Sequence, residues 1–357
     1  MLDIRVEKTK TPKQKPDMHN PPHFGSVFTD HMFVMDFNRT DGWHDPRIIP
    51  YGSFPIEPSA MVFHYAQTQF EGMKAFKSKA GNPLLFRPDM NAKRFRNTAE
   101  RICNPPIAVE DFLQAVTELV RTEKDWIPEL PETSLYMRPV CFATEPSIGV
   151  RIADEYKFFV MCCPVKNYHS SFSTEDSCWI ETEYVRSVRG STGAVKAGGN
   201  YTGTLLPQQL TEKRGYSEVL FLDGVEGKYI EEISASNIMF VIDGKMVTPS
   251  LDGSILPGIT RDSILYMCRQ WGIPCEERKL SFDEVIETLK NGKMTEAIST
   301  GTAVVISPIG KFACQAHGEL VVGDGEVGPI SQKLYDHLLA VQRGHIEGPE
   351  GWIVEVK

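Results

Sequence analysis

A polar run, Asn-Tyr-His-Ser-Ser-Phe-Ser-Thr-Glu-Asp, lies between Lys166 and Ser177 and follows neither the period of a helix nor that of a strand. It divides the 357 residues into two structured halves, each long enough to bury a core of its own. The expectation is therefore an α+β chain of two domains: a small N-terminal domain over 23–165, an interdomain loop over 166–177 and a larger C-terminal domain over 178–357. Residues 1–22 are rich in Lys and Pro (Pro12, Pro16, Pro21, Pro22) and poor in apolar side chains. They are expected as a flexible, solvated arm, with order beginning near Phe24. A boundary between two such domains is a common place for a ligand cleft.

Charge and composition narrow the function classes. Lys and Arg number 38 against 47 Asp and Glu, giving a net charge of −9. A chain this acidic repels a polyphosphate, so no nucleic-acid partner is expected. The longest strongly apolar stretch, Phe158 to Val165, is far short of the ~20 residues a membrane helix needs, so no membrane partner is expected either. The eight cysteines include no Cys-x-x-Cys spacing, and most lie among apolar residues, as in Phe159-Val160-Met161-Cys162-Cys163. No metal site is expected. Reduced core thiols, with no secretory signal visible at the N-terminus, point to the cytoplasm.

Periodicity places the main elements. Phe112, Leu113, Val116, Leu119 and Val120 recur at helical spacing, predicting an amphipathic helix over 110–125. Ser134 to Thr144 and Tyr156 to Val165, rich in β-branched and aromatic residues, predict strands, as do 218–222, 238–242 and 245–248. Ser281-x-x-Glu284 forms a capping box before a helix stopped at Gly292, and a last helix runs from Ile330 to Gly344 after Pro329.

Four short segments carry candidate chemistry. Arg189-Gly-Ser-Thr-Gly-Ala-Val-Lys196-Ala-Gly-Gly-Asn-Tyr201 sets one lysine among four glycines. It is either a surface loop or a site where backbone approaches a bound group and a desolvated amine attacks a carbonyl. Ala197 after Lys196 excludes a Walker phosphate loop. Glu231-Glu232 opens a strand, as a solvated turn or as a buried carboxylate with a cationic partner. Leu256-Pro-Gly-Ile-Thr-Arg-Asp-Ser263 is a strand-to-helix turn able to present N–H groups to an anion. Ser299-Thr-Gly-Thr-Ala303 is a second small-residue turn of the same kind.

Taken together with Phe70-Glu-Gly-Met-Lys-Ala-Phe76 and Ser134-Leu-Tyr-Met-Arg-Pro-Val140, these segments resemble, in order, the motifs of the branched-chain amino acid aminotransferases. Those are fold-type IV enzymes that use pyridoxal 5′-phosphate (PLP), and the resemblance runs from about Phe24 to the C-terminus. It implies a small N-terminal α/β domain and a large C-terminal domain of mixed, barrel-like sheet that binds PLP. It also implies a homodimer whose active sites lie between domains and receive residues from the neighbouring subunit. The implied reaction moves the amino group of L-leucine, L-isoleucine or L-valine to 2-oxoglutarate, so amino acids and 2-oxo acids are the expected small-molecule partners.

By position, Lys196 is similar to the family's Schiff-base lysine, which later shuttles a proton, and Glu232 to the carboxylate beside the pyridine nitrogen. Arg94, Ile259, Thr260 and Thr302 match phosphate contacts, and Tyr201 matches the tyrosine at the phenolic oxygen. On the substrate side, Thr302 and Ala303 match the backbone groups that bind the α-carboxylate. Phe24, Tyr65, Phe70, Tyr136 and Ala235 match the side-chain pocket, and Arg138 matches the arginine that accepts glutamate's distal carboxylate. An aromatic wall for branched side chains and a cation for a dicarboxylate are the two demands of a ping-pong transaminase.

Four positions depart from the pattern. Val304 and Ser307 stand where mammalian members carry a Cys-x-x-Cys redox pair, Ala235 replaces Thr or Gly, and Met239 replaces an aromatic. Redox control through that pair is not expected. The alternatives are a D-amino acid transaminase or aminodeoxychorismate lyase of the same fold type, or a PLP-binding protein without catalysis.

Overall fold

The structure, a computed structural model, describes residues 1–166 and 172–357. Two compact units divide the chain: Met1–Tyr168 with Lys196–Gly199 and Leu339–Lys357, and His169–Val195 with Asn200–Leu338. Of the expected interdomain loop, 167–171 fall outside the described residues, Lys166 ends a strand and Asp176 begins one.

The first unit is built on a nine-stranded sheet. Its strands are β1 (Arg5–Val6), β2 (His31–Asn38), β3 (Gly42–Pro50), β4 (Thr68–Phe70), β5 (Met73–Lys77), β6 (Pro83–Phe86), β7 (Thr133–Ala143), β8 (Glu155–Lys166) and the C-terminal strand Ile353–Glu355. The order is β1-β3-β2-β8-β7-β5-β6 and then the C-terminal strand, with β4 also on β7. Pairing is antiparallel except at β1. Because side chains alternate along a strand, Met73, Ala75, Leu135, Met137, Cys141, Phe158 and Cys162 enter one core. There they pack with Phe95 of α2 (Pro88–Ile102) and Phe112, Val116 and Leu119 of α3 (Val109–Thr122), which follow the short α1 (Met61–Tyr65). The opposite alternation puts Tyr136 with Cys163 and Val165.

The N-terminal segment departs from the expected solvated arm. Arg5 and Val6 pair with Arg47 and Ile48, and the Leu2 N–H donates to Gln114 Oε1 at 2.7 Å. Main-chain pairing is indifferent to polar side chains, so a composition too polar to form a core still adds an edge strand.

The second unit holds another nine-stranded sheet: β9 (Asp176–Glu181), β10 (Glu218–Leu222), β11 (Ile230–Ile233), β12 (Asn237–Ile242), β13 (Lys245–Pro249), β14 (Cys275–Arg278), β15 (Met294–Gly301), β16 (Val305–Cys314) and β17 (Gly318–Val321). The order is β11-β10-β9-β16-β15-β12-β13-β14, with β17 on β16. This sheet mixes parallel and antiparallel pairs. Its core joins Leu220, Ile238, Phe240, Val247, Ala297 and Phe312 to Val285, Ile286 and Leu289. Those last three lie on α7 (Phe282–Lys290), which follows α4 (Gly199–Thr202), α5 (Leu205–Lys213) and α6 (Ile259–Gln270) and precedes α8 (Pro329–Gln342). At the start of α7 the Glu284 N–H donates to Ser281 Oγ at 3.1 Å, the cap its sequence predicts.

Candidate active site

In the first unit, Lys196 is fastened through its backbone. Its carbonyl accepts from the Phe70 N–H at 3.2 Å, its own N–H donates to Thr98 Oγ1 on α2 at 3.2 Å, and the Gly198 N–H donates to the Thr68 carbonyl at 3.0 Å. Residues 196–198 thus lie along β4 as an extra short strand. The Lys196 ammonium stands 4.5 Å from the centroid of the Phe70 ring, and the Arg138 guanidinium stands 4.7 Å from the same centroid. One aromatic face set therefore serves two cations, each contributing about 1 kcal/mol of attraction while leaving net positive charge for an anion.

Arg138 is placed by its strand neighbour. Its Nη2 donates to the Tyr136 hydroxyl at 3.0 Å, and Tyr136 lies so close over Gly72 that a Cβ there would overlap the hydroxyl. Phe24 meets the Tyr136 ring edge-on at 5.0 Å. Arg138 Nε is buried and has no partner among the described residues, which leaves a donor for a ligand. Tyr65 does not join this group, since it lies on α1 and donates its hydroxyl hydrogen bond to the Ile148 carbonyl.

Arg94, on the buried face of α2, donates through Nε to Glu71 Oε1 at 2.7 Å and through Nη2 to Oε2 at 2.9 Å. Asn91 Nδ2 adds a bond to Oε2 at 2.8 Å. Burial alone would raise the Glu71 carboxyl, but Arg94, together with Lys196 and Asn91, holds it below the ordinary carboxylate range. Glu71 was legible as part of a motif but not as the partner that orients Arg94. Lys74, on β5 opposite Tyr136, is buried, and burial with the nearby Arg343 charge brings its ammonium down to about 7.

In the second unit Glu232 on β11 is 2% exposed. The Leu256 N–H donates to its Oε1 at 3.0 Å, Asn237 Nδ2 donates to Oε2 at 3.2 Å, and Arg186 Nη1 forms a buried ion pair with Oε1 at 2.7 Å. Of the two readings left open for this carboxylate, the buried one with a cationic partner holds. Asn237 also donates to the Leu256 carbonyl at 2.9 Å, and its Oδ1 sits where a Cβ on residue 258 would be. Glycine is required there, and it caps α6 so that the first helical residues are Ile259 and Thr260. The helix begins inside the Leu256–Ser263 turn, which puts Thr260 in its first turn. Its N-terminal N–H groups, with the helix dipole behind them, form an anion-binding end.

Asn237 pairs with Thr300 across β12 and β15, and Gly301 packs against Ser236 and the Ala235 carbonyl. Ala235 and the turn bearing Thr302 and Ala303 are thereby neighbours. Thr300 Oγ1 is buried without a partner among the described residues, and Val305, which closes the turn, is held at φ +62°. That backbone is strained for a β-branched residue, and such strain concentrates at functional turns. Tyr201 lies half-buried in α4, next to Asn200, whose Nδ2 bonds the Thr192 and Val195 carbonyls at 2.7 and 2.8 Å. Sequence reasoning missed Arg186, Asn237 as a hub, Thr98 and Asn91; the one available signal was the position of Asn237 five residues after Glu232.

Comparison with known proteins agrees with this chemistry. The sequence model of the class IV amino-transferases matches residues 68–312. Branched-chain-amino-acid aminotransferase 2 of Bacillus subtilis is 48% identical over 353 residues, 99% of this chain and 97% of that protein. Among solved structures, the branched-chain amino acid aminotransferase of Escherichia coli superposes with a TM-score of 0.77 at 24% identity, over 92% of this chain and 99% of that one. The enzyme of Thermobaculum terrenum in its PLP form superposes with a TM-score of 0.75 at 24% identity, over 92% and 98%. At that identity the two structures speak for the fold.

Proposed function

Because the chain belongs to the class IV aminotransferase family, we propose that it transfers the amino group of L-leucine, L-isoleucine or L-valine to 2-oxoglutarate, giving the branched 2-oxo acid and L-glutamate. One observation carries the substrate reading: Arg138 and Lys196 both flank Phe70, and Tyr136 and Phe24 extend the aromatic surface. An apolar wall suits a branched side chain, and the buried unpaired Arg138 Nε suits the distal carboxylate of 2-oxoglutarate.

The residues present fit pyridoxal 5′-phosphate as cofactor. A glycine-capped helix end with Thr260, and the guanidinium of Arg94, suit a phosphate dianion, while the locked carboxylate of Glu232 suits a pyridinium nitrogen. When bound, PLP supplies the electron sink for the pair released at the substrate Cα. In this reading Lys196 Nζ would hold the cofactor and move the proton at the substrate Cα. Glu232 would keep the proton on the pyridine nitrogen, with Arg186 and Asn237 fixing the carboxylate. Tyr201 would bond the phenolic oxygen, Ile259, Thr260 and Thr302 would contact the phosphate, and the N–H groups of Thr302 and Ala303 would hold the substrate α-carboxylate. Ala235, beside that turn, closes the pocket.

A homodimer is part of the proposal. Phe63, Ile148 and Val150 are 61%, 72% and 84% exposed, an apolar patch of the kind that covers itself with a second copy. Tyr65 is tied to the same loop at Ile148, and in this proposal it reaches the pocket of the neighbouring subunit. No described helix is long and apolar enough to cross a membrane. Buried free thiols suit a reducing compartment, and we assign the protein to the cytoplasm. The C-terminal bound expected for the cofactor domain is drawn back, since 339–357 and 196–199 belong with the first unit. A spectrophotometric titration of the purified holoenzyme tests the whole reading. Its cofactor band should convert with L-leucine, L-valine and L-glutamate; conversion by D-alanine alone would overturn it.

A further inference from the structure

We infer that Lys13 is a positioning residue for the substrate pocket, acting by fastening residues 14–30 as a strap that holds Phe24 and Phe28 against Tyr136. The inference rests on the reading of Phe24 and Tyr136 as pocket wall. Lys13 is an exposed residue of the segment that composition alone would leave in solvent, yet it makes four directed contacts. Its N–H donates to Asp30 Oδ1 at 2.8 Å, its ammonium donates to the Phe28 and Thr29 carbonyls at 3.1 and 2.8 Å, and the same ammonium lies 4.5 Å from the centroid of the Tyr51 ring. Phe28 in turn stacks on that Tyr51 ring at 4.8 Å with an interplanar angle of 12°.

The clamp sits at the base of a loop. Upstream, the Thr9 N–H is held by His31 Nε2 at 2.9 Å; downstream, Asp30 accepts from Trp126 Nε1 at 2.9 Å and the Thr29 N–H donates to the Cys162 carbonyl at 3.0 Å. Both ends of the base are therefore fixed to the first sheet, and Lys13 draws them together. Closing a loop at its base removes freedom from everything between, here the stretch that carries Pro16, Pro21 and Pro22. What lies between is Phe24, edge-on to Tyr136 at 5.0 Å, and Phe28, packed against Tyr136, Cys163 and Val165. Tyr136 in turn accepts the Arg138 bond at 3.0 Å. A continuous path of contacts thus runs from Lys13 to the group flanking Phe70 without leaving the first unit.

An ordinary surface lysine contributes little, and its loss moves neither affinity nor rate. Here the lost ammonium would free two carbonyls and a ring stack, so the effect should fall on substrate binding. In the holoenzyme, Lys13→Ala should raise KM for L-leucine roughly three- to tenfold with kcat changed less than about twofold, the size expected of one or two lost charge-assisted hydrogen bonds. Lys13→Arg should restore most of the loss. In a Phe24→Ala background, itself raised in KM, adding Lys13→Ala should change KM no further. If Phe24→Ala raises KM and Lys13→Ala does not, the strap is not set by Lys13 and the inference fails. A parallel fall in kcat and thermal midpoint, with no rescue by Arg, would make Lys13 merely structural and overturn it equally. An unchanged KM in Phe24→Ala would instead overturn the pocket reading, and the inference with it.

Discussion

Glu71 and Arg94 face each other as a two-bonded ion pair, 2.7 and 2.9 Å long, with both side chains buried. The pair fixes the plane and the height of the guanidinium, so that the arginine proposed for the phosphate is set before any ligand arrives. Removing one partner of such a pair leaves a buried charge alone, which costs about 3–5 kcal/mol. Glu71→Ala should therefore lower the thermal midpoint by several degrees and weaken PLP affinity at least tenfold, read by differential scanning fluorimetry and by equilibrium titration of the apoenzyme. A variant with wild-type affinity would detach Arg94 from the phosphate.

Lys196→Ala should abolish turnover while leaving the fold intact, because the backbone of residue 196 keeps its bonds to Phe70 and Thr98. Circular dichroism should match the parent, and the covalent cofactor band should vanish. Retained transamination would remove Lys196 from the mechanism.

Arg138 separates the two half-reactions. Losing a buried charged donor to a carboxylate costs about 2 kcal/mol or more, roughly thirtyfold in affinity. Arg138→Met should raise KM for L-glutamate and 2-oxoglutarate by that factor and leave L-leucine within about threefold, as measured in single half-reactions. An equal loss on both substrates would mean that Arg138 supports the pocket without reading the distal carboxylate.

Gly258 and Asn237 test the anion-binding helix end together. Gly258→Ala drives a methyl group into Asn237 Oδ1 and should cut PLP affinity and lower the thermal midpoint. Shortening the neighbour in Asn237→Ala/Gly258→Ala should recover part of the midpoint. Absence of any recovery would place the clash elsewhere.

Lys74 gives a pH signature. Burial, with Arg343 beside it, lowers its ammonium from 10.5 to about 7 in the folded protein, so between those values the unfolded chain binds the extra proton. Stability should then rise with pH from about 7 towards 10, as the unfolded chain gives up the proton that the folded protein lacks. Lys74→Met, which removes the group, should flatten that rise relative to the parent in thermal midpoints taken from pH 7 to 9. Parallel curves would show that Lys74 keeps an ordinary affinity for its proton.

The local elements were readable because their signals are local. The 3.6-residue recurrence of Phe112, Val116 and Leu119 became α3, the β-branched runs became β7 and β8, and Ser281 capped α7. Lys196, Glu232 and Arg138 were legible through motifs of a few residues. Arg186 beside Glu232, and Glu71 as the orienting partner of Arg94, were not, since those pairings join distant parts of the chain and only the sheet decides them. The N-terminal segment escaped for a different reason: its attachment runs through main-chain groups and one lysine, which composition does not record.

The tether of Lys196 has a consequence for change over time. Two of its three bonds, from the Phe70 N–H and to the Thr68 carbonyl through Gly198, join main chain to main chain. Substitution at 68 or 70 can reshape what the pocket admits, but it cannot delete those donors or acceptors unless it introduces proline. Those two anchors of the amine proposed to react are thus blind to side-chain identity, and new substrate preferences can be tried around them while the lysine stays where it was.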